Sequence, residues 1–203
     1  MHLGQFVVVN SKEEEVFERG LNELKYHADV FDLLKLDSTA KMQIHVGGVY
    51  EDKEKSMERF IGRYKSLDKN IKQRLVIEND EKSYNLTDCI LICEKTGIPV
   101  LFDYFHHELN NNGSDIRDCF ESFIKTWKSK DGLPLVDYSS QKPDKAKGTH
   151  IESIDLDHFS RFLRDTEDFD FDIMLEIKDK ETSTLKAVDV LKEDKCFITR
   201  SSN

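Results

Sequence analysis

The residues best suited to chemistry are histidines and acids that follow short apolar runs. The clearest case is VLFDYFHH, where the apolar residues 100–102 are followed within five positions by Asp103, His106 and His107. An unbroken apolar run is typical of a strand covered on both faces, and titratable groups are costly to bury without partners. The same pattern recurs along the chain and gives a set of eight candidates: His2, His45, Glu78, Asp103, His106, Asp137, His150 and Glu176.

These eight side chains offer the donors of a divalent metal cluster. Imidazole and carboxylate groups without thiolate suit Zn or Mn better than Ca or Mg. Eight groups are too many for a single ion, so we expect two or three ions with bridging carboxylates. Such clusters stabilise the attacking and leaving oxygens in phosphoryl chemistry. A single histidine or acid at a strand end would more simply be a satisfied structural residue.

Short apolar runs alternate with helical patterns along the chain. We predict strands at 43–46, 75–77, 100–102, 133–136 and 173–177, and helices at 13–36, 53–67, 86–95, 116–128, 156–164 and 184–191. Helix caps are expected at Ser11, Ser56, Asn85 or Thr87, and Asp155. The alternation predicts a parallel sheet, because parallel neighbours need a crossover connection. The spacing suits a TIM barrel or an open doubly wound sheet.

A TIM barrel would bring the candidate residues together, since its active site is assembled at the carboxyl ends of the strands. Five of the seven histidines lie at or just beyond predicted strand ends, and only His27 and His158 fall on predicted helices. The first ten residues, MHLGQFVVVN, resemble the end of a further strand. We therefore expect all eight candidates on one face of the sheet.

Composition narrows the class of protein. The chain has 203 residues and a formal net charge of -10, which taken alone argues against a nucleic-acid binder. Bound divalent cations would reverse that charge locally.

The four cysteines are interpreted as reduced thiols. No apolar run approaches the roughly 18 residues of a membrane span, and the N-terminus lacks a signal-peptide core. These features predict an intracellular protein with no membrane partner and no obligate protein partner.

Two glycine-containing segments follow His2 and His45. In HLGQF, Gln5 and Phe6 place a hydrogen-bonding group beside an aromatic ring, and such a pair could stack on and probe a nucleobase. The alternative is that Phe6 is a core residue and Gln5 a cap. In HVGG, the two glycines remove side chains where the backbone must turn or let a ligand approach.

Seven motifs in this order resemble the UV damage endonuclease family: HLGQF, IHVGGVYEDKEK, LVIENDEKSY, FDYFHH, VDYSSQ, GTHIESID and DIMLEIKDKE. The resemblance runs from residue 2 to about residue 186. IHVGG, IEND, the Asp-to-His-His stretch and MLEIKDKE are not found together in unrelated barrels. The metal pattern alone is also similar to that of the endonuclease IV and xylose isomerase-like barrels.

The resemblance implies a TIM barrel with a divalent metal cluster of Mn, with Zn, Co or Mg as alternatives. The implied activity is cleavage of UV-damaged double-stranded DNA immediately 5' to cyclobutane dimers and 6-4 products, leaving a 3'-hydroxyl and a 5'-phosphate, as the start of excision repair. Such an enzyme would act at the nucleoid in the cytoplasm.

The resemblance also implies roles for individual residues. The family's metal ligands fall on His2, His45, Glu78, Asp103, His106, His150 and Glu176, and its lesion-probing pair falls on Gln5 and Phe6. Glu78 and Glu176 would be catalytic, together with Lys178 as a cation beside the ligands or facing a phosphate. His107 and Asn79 would support the ligands.

Two departures from the family pattern matter. The family often has Lys-x-His before its SSQ, with a carboxylated lysine that bridges metals, whereas this chain has Leu135 and Asp137 at those positions. Asp137 can replace an imidazole ligand, but Leu135 cannot replace the lysine. The resemblance also begins in the middle of the family pattern. We therefore expect an incomplete TIM barrel at 1–192, lacking the first two to three βα units, followed by a flexible tail at 193–203.

Two rival interpretations remain open at this stage. One is a sugar isomerase or epimerase on a similar barrel, with one or two ions and Glu176 for proton transfer. The number of ligands and the Gln5–Phe6 loop count against it. The other is an inactive fragment of the endonuclease that binds metal weakly, because missing strands would remove both ligands and preorganisation.

Overall fold

A computed structural model describes residues 1–4, 6–192 and 197 of the chain. All five predicted strands are present: β1 (Met42–His45), β2 (Leu75–Glu78), β3 (Val100–Asp103), β4 (Leu135–Tyr138) and β5 (Asp172–Leu175). They form one parallel sheet in the order β1-β2-β3-β4-β5. The α/β class is confirmed, and the open parallel sheet agrees with the predicted incomplete barrel.

Helix α1 precedes β1, and the other helices of the described residues follow strands, as crossover connections between parallel neighbours require. They are α1 (Glu14–Leu33), α2 (Lys53–Ser66), α3 (Lys69–Lys72), α4 (Leu86–Thr96), α5 (Tyr104–Leu109), α6 (Ile116–Ile124), α7 (Leu156–Asp165) and α8 (Glu181–Leu191), with a 3₁₀ turn at Ser129–Asp131. The short helices α3 and α5 were not predicted. None of the described helices combines the length and the apolar character needed to cross a membrane. Apart from Phe197, the predicted tail lies outside the described residues.

Side-chain caps set several helix starts. Asn85 and Asp88 form a capping box at α4, which ends at the left-handed Gly97, and Asp155 caps α7 as predicted. The prediction for Ser56 is wrong, because the Asp52 side chain caps α2. Ser11 does not cap α1 either, although its hydroxyl accepts a hydrogen bond from the amide of Glu13.

The N-terminal segment lies beside β1. His2 forms a parallel bridge with Gln43, the Gln43 amide donates to the Met1 carbonyl at 3.0 Å, and the Leu3 amide donates to the Gln43 carbonyl at 3.2 Å. The segment therefore continues the sheet by one residue pair, which fits the predicted strand end. It also brings His2 to the same end of the sheet as His45.

The centre of the core lies where β2 and β3 are covered on both faces. Every residue of these two strands is buried. On the helix side, Phe102 packs against Phe120 and Phe123, with ring centroids 5.2 and 5.4 Å apart. Such aromatic contacts add to the hydrophobic free energy of burial. The strands that carry Glu78 and Asp103 are therefore packed on both faces up to the residues at their carboxyl ends.

A buried ion pair closes the opposite, amino-terminal end of the sheet. The Lys41 ammonium lies 2.7 Å from the Asp131 carboxylate, and both side chains are at most 5% exposed. Lys41 also donates to the Gln73 carbonyl at 2.9 Å and lies over the Trp127 ring. The pair therefore joins the start of β1 to the 3₁₀ turn that precedes β4.

Removing one partner of this ion pair should destabilise the fold. Asp131→Asn should lower the free energy of unfolding by roughly 3 kcal/mol, because it leaves a buried ammonium without its counter-charge. Urea unfolding of both proteins measures the change. Asp189→Asn is the matched control, since its partner Lys192 and Asp189 itself are well exposed and such pairs contribute little. Equal losses in the two variants would contradict a special role for Lys41–Asp131.

Candidate metal centre

The strand register places the candidate ligands side by side. His45 is the register partner of Glu78, and Asp103 is the register partner of Asp137. Glu176 directly follows β5, and its amide donates to the Tyr138 carbonyl at 2.9 Å. Because neighbouring parallel strands end at the same edge of a sheet, these five side chains meet at its carboxyl end.

The donor atoms form three overlapping groups, within each of which all atoms lie within 4.8 Å of one another. The groups are His2, His45 and Glu78; Glu78, Asp103 and His106; and Asp103, Asp137 and Glu176. Glu78 and Asp103 each belong to two groups. This overlap is what carboxylates that bridge neighbouring ions require.

Glu78 lies at the centre of the cluster and is fully buried. Its carboxylate oxygens are 3.4 Å from His2 Nε2, 4.0 Å from His45 Nε2 and 3.1 Å from His106 Nδ1. The His106 nitrogen is aligned on the Asn79 carbonyl, at 3.0 Å, rather than on Glu78. Glu78 thus has three close imidazoles, yet one of its oxygens has no hydrogen bond.

Three carboxylate oxygens from three strands are buried without a hydrogen-bond partner among the described residues: Glu78 Oε1, Asp103 Oδ2 and Asp137 Oδ1. Buried polar atoms are nearly always paired in folded proteins, and an unpaired carboxylate is especially costly. Divalent cations would satisfy all three oxygens at once. The mixed imidazole and carboxylate donors therefore fit a divalent metal cluster.

The crowded acids raise the pKa values of the two buried aspartates at the site. Burial raises the pKa of the Asp137 carboxyl well above its usual range, and the negative charges of Glu78 and Glu176 raise it further. Burial and the charge of Glu78 likewise raise the pKa of Asp103, against the opposing effect of His106. Bound cations would favour the ionised forms of both aspartates.

Glu78 and His106 shift in the directions expected of an ion pair. Burial would raise the pKa of Glu78, but the contacts with His106 and His2 and the charge of His45 lower it overall. Burial would lower the pKa of His106, but Glu78 and Asp103 raise it to about 9. When no cation is bound, His106 therefore carries part of the positive charge that balances Glu78.

Asn79 and the start of α5 hold the ligands of β3 in place. The Asn79 side chain donates to the Asp103 carbonyl at 2.9 Å and accepts from the Asp103 amide at 3.0 Å. The Asp103 side chain caps α5 by accepting from the His106 amide at 2.6 Å. The expectation that His106 and His107 lie outside helices is wrong, because this cap starts a helical turn directly after the strand.

A second set of contacts fixes the far side of α5. His158 Nε2 lies 3.0 Å from the Glu108 carboxylate, and His158 Nδ1 lies 2.7 Å from the Tyr138 hydroxyl. Glu108 is two residues after His106, and Tyr138 directly follows Asp137. The helix that carries one candidate ligand is therefore tied to the strand that carries another.

Gln43 was missed by the sequence analysis. Its buried side-chain amide donates to Glu78 Oε2 at 3.2 Å and to Asp137 Oδ2 at 2.5 Å. The available signal was its position, two residues before His45 and hence on the same face of β1. Glu81 was also missed; its carboxylate lies 3.8 Å from His106 Nε2.

Three of the predicted titratable site residues lie outside the three groups. His150 is next to them, with Nδ1 3.0 Å from Ser139 Oγ and 3.1 Å from the Glu176 carbonyl. Lys178 is exposed and pairs with Glu152 at 3.3 Å. His107 turns toward the helix side, with its ring on Phe102 and its Nε2 3.8 Å from Cys119 Sγ.

The proposed lesion-probing pair is described only in part, because Gln5 lies outside the described residues. The Phe6 side chain is 80% exposed. The alternative that Phe6 is a core residue is therefore wrong.

The glycines after His45 allow a close backbone approach. Gly47 has a φ of +112°, and a Cβ there would collide with the Asn10 side chain. Asn10 donates to the Gly48 carbonyl at 2.8 Å, and the Tyr84 hydroxyl donates to the same oxygen at 2.9 Å. These contacts pin the loop after β1 to the loop that follows β2.

Comparison with known proteins places the chain in a family. The profile of the family described as UV-endonuclease UvdE matches residues 1–201. The chain belongs to this family. Membership in the UvdE family leaves the sugar isomerase interpretation without support.

Individual relatives agree with the family match. The UV DNA damage endonuclease of Clostridium perfringens (strain 13 / Type A) is 40% identical over 95% of this chain and 47% of the relative. A putative UV-damage endonuclease of Acanthamoeba polyphaga mimivirus is 36% identical over 92% of this chain and 58% of the relative. The crystal structure of SacUVDE superposes with a TM-score of 0.90 and 48% identity, covering 95% of this chain and 64% of that one. The chain thus spans about half the length of the curated relatives it matches.

Manganese should stabilise this UvdE chain through the crowded carboxylates. At Mn²⁺ concentrations about 100 times Kd, binding to the folded state adds about 2.7 kcal/mol, which corresponds to a rise in Tm of roughly 5–10 °C. Asp137→Asn should lose most of that rise, yet be at least as stable as the parent in chelator, because one of four crowded carboxylates is gone. Thermal unfolding with and without MnCl2 measures both effects.

Asp170→Asn is the control for this measurement, because Asp170 is exposed and belongs to none of the three groups. It should keep the full manganese-dependent rise. If Asp137→Asn also kept it, Asp137 would not be a ligand.

Proposed function

We propose that this chain carries the metal centre of an endodeoxyribonuclease that nicks UV-damaged double-stranded DNA on the 5' side of cyclobutane dimers and 6-4 products, and so starts excision repair. The observation that carries the proposal is the set of three buried carboxylate oxygens that accept no hydrogen bond among the described residues, on neighbouring strands and within three overlapping donor groups. Relatives named UV DNA damage endonuclease support the choice of substrate. A DNA substrate would place the activity at the nucleoid, in the cytoplasm.

The proposed cofactor is a cluster of two or three divalent ions, with Mn preferred and Zn, Co or Mg as alternatives. The residues that would hold it are His2, His45, Glu78, Asp103, His106, Asp137, His150 and Glu176. When bound, such ions supply Lewis acidity to a phosphate group and a water-derived nucleophile at neutral pH. His150 would join the cluster from its position beside the Glu176 carbonyl.

The chain's own groups have distinct proposed roles. Glu78 is fully buried among three imidazoles, so it would hold ions from inside the cluster. Glu176 is only half-buried at the end of the edge strand β5, so it would meet the substrate phosphate. Gln43 donates to two of the carboxylates and would keep them aimed at the ions. Lys178 lies two residues beyond Glu176 and would face the phosphate backbone.

Phe6 supports the proposed recognition of damage. It is 80% exposed and lies four residues after His2, close in sequence to a candidate ligand. An exposed ring can stack on an unstacked base, and Gln5 would add hydrogen bonds. Damaged duplexes are easier to deform and unstack, which would supply selectivity without sequence reading.

The incision assay tests the proposed function directly. A 5'-end-labelled duplex with one thymine dimer should be nicked on the 5' side of the dimer with MnCl2 and remain intact in chelator. Glu78→Gln should lower the rate by about 100-fold or more, because loss of a residue that only supports a metal ligand already costs about 10–100-fold. The exposed Glu94→Gln on α4 should leave the rate unchanged.

Different outcomes would overturn different parts of the proposal. Cutting in chelator, or full activity of Glu78→Gln, would exclude the metal centre described above. Manganese binding without any cutting would mean that this chain is a metal-binding portion of the family and not by itself a nuclease.

Phe6→Ala should reduce selectivity for damage rather than metal binding. We expect the ratio of dimer-containing to undamaged duplex affinity to fall roughly tenfold, since stacking contributes about 1–3 kcal/mol per base. Anisotropy of the two duplexes and a manganese titration measure the two properties separately. Tyr26→Ala is the matched control, because Tyr26 is an exposed aromatic residue on α1. Parallel loss of metal binding in Phe6→Ala would argue against a probing role.

A further inference from the structure

The loop at 141–149, between β4 and His150, is rich in positive charge. It contains Lys142, Lys145 and Lys147 and a single acid, Asp144, so its formal charge is three minus one, or +2. The whole chain carries -10. A protein with that balance needs a local basic surface to approach DNA phosphates.

The Gln141 side chain fixes the shape of this loop. Its amide nitrogen donates to the Lys142 carbonyl at 2.9 Å and to the Ala146 carbonyl at 3.1 Å, and its oxygen accepts from the Gly148 amide at 2.9 Å. The Lys142 amide also donates to the Thr149 carbonyl at 2.7 Å. The lysines are therefore carried on a closed, hydrogen-bonded loop.

The loop lies next to the candidate metal centre. A Cβ at Gly148 would lie 3.8 Å from Glu81 Cγ, and Glu81 is the acid that approaches His106. Lys147 Nζ donates to the carbonyl of Leu109, at the end of α5, at 2.9 Å. The loop thus reaches from the His106 helix on one side to His150 on the other.

Among the residues that the structure describes, only part of the loop's positive charge is balanced by acids. Lys142 and Lys178 share one carboxylate oxygen, Glu152 Oε1, at 2.6 and 3.3 Å. Lys147 contacts an uncharged carbonyl. We use the name lysine patch for four residues: Lys142, Lys145, Lys147 and Lys178. The lysine patch therefore keeps a net positive charge beside the strand ends.

We propose that the lysine patch binds the phosphates of the DNA strand beside the cleavage site. The inference rests on the proposed function, because it takes DNA as the substrate. Ammonium groups at a phosphate backbone release counterions and position the duplex without reading its sequence. The lysine patch would also reduce the repulsion between the negatively charged chain and those DNA phosphates that lie too far from the metal ions to contact them.

Salt-dependent binding tests this role without requiring incision. The probe is a fluorescent duplex already nicked on the 5' side of one thymine dimer, bound in MnCl2 over a range of KCl concentrations. The variant combines Lys142→Gln, Lys145→Gln and Lys147→Gln. Its slope of log affinity against log salt should be shallower than the parent's by about two to three, since each phosphate contact contributes about 0.9.

The matched control combines Lys65→Gln, Lys69→Gln and Lys95→Gln. These three exposed lysines lie in α2, α3 and α4, in or near the last turns before β2 and β3, and so at the opposite end of the sheet from the candidate centre. The charge change is the same, so the control slope should equal the parent's. Gln141→Ala should weaken binding although it removes no charge, because it releases the loop.

The outcomes separate this inference from the proposed function. A shallower slope for the loop variant alone supports the lysine patch, even if the parent fails to incise a dimer. Unchanged slopes, equal changes in both triple variants, or no binding by the parent would overturn it. A manganese titration of the loop variant should match the parent, and loss of metal binding would also count against a phosphate-contact role.

Discussion

Repulsion among carboxylates at the strand ends is the constraint on which the site depends. Glu78, Asp103, Asp137 and Glu176 converge on a small volume, and like charges at such separations favour protonation or a cation between them. Three oxygens remain without hydrogen bonds among the described residues. The site is therefore built for a ligand that supplies positive charge, and its neutral donors, Gln43 and Asn79, orient the acids without balancing their charge.

The two ends of the sheet differ in how their charges are balanced. The carboxyl end has an excess of buried acids, whereas the charged groups at the amino-terminal end balance one another. At the amino-terminal end, Lys41 and Asp131 neutralise each other, and the Gln73 carbonyl accepts a further hydrogen bond from Lys41. Between the two ends, β2 and β3 are fully buried. Stability can therefore come from the core and the closed end, while the other end keeps unpaired groups for chemistry.

Much of this arrangement could be predicted from sequence because it follows local patterns. Apolar runs located the five strands, and the acids after them located most of the candidate cluster. β4 shows where the pattern misled: we predicted 133–136, but the strand is Leu135–Tyr138 and Leu133 is exposed. Pro134 explains the shift, because it has no N–H to donate to a ladder.

What could not be predicted depends on contacts between segments. The helix α5 exists because Asp103 caps it, and a six-residue helix leaves too short a periodic signal to recognise. Sequence spacing could not show that His106 faces Glu78 while the adjacent His107 faces Phe102 and Cys119. Gln43 looked like an ordinary strand residue until its two carboxylate partners were visible.

The contact between Gln43 and Asp137 constrains how the Gln43 amide is oriented. Gln43 is a hydrogen-bond donor that suits a carboxylate at position 137, whereas the motif that this chain resembles often has histidine there. A neutral imidazole whose free nitrogen binds metal would need an acceptor on its other side. Gln43 could supply one only by turning its amide so that Oε1 takes the place of Nε2, and it would then lose its hydrogen bond to Glu78. Residue 137, ninety-four positions away in sequence, therefore decides which way the Gln43 amide must face and whether Glu78 keeps that donor.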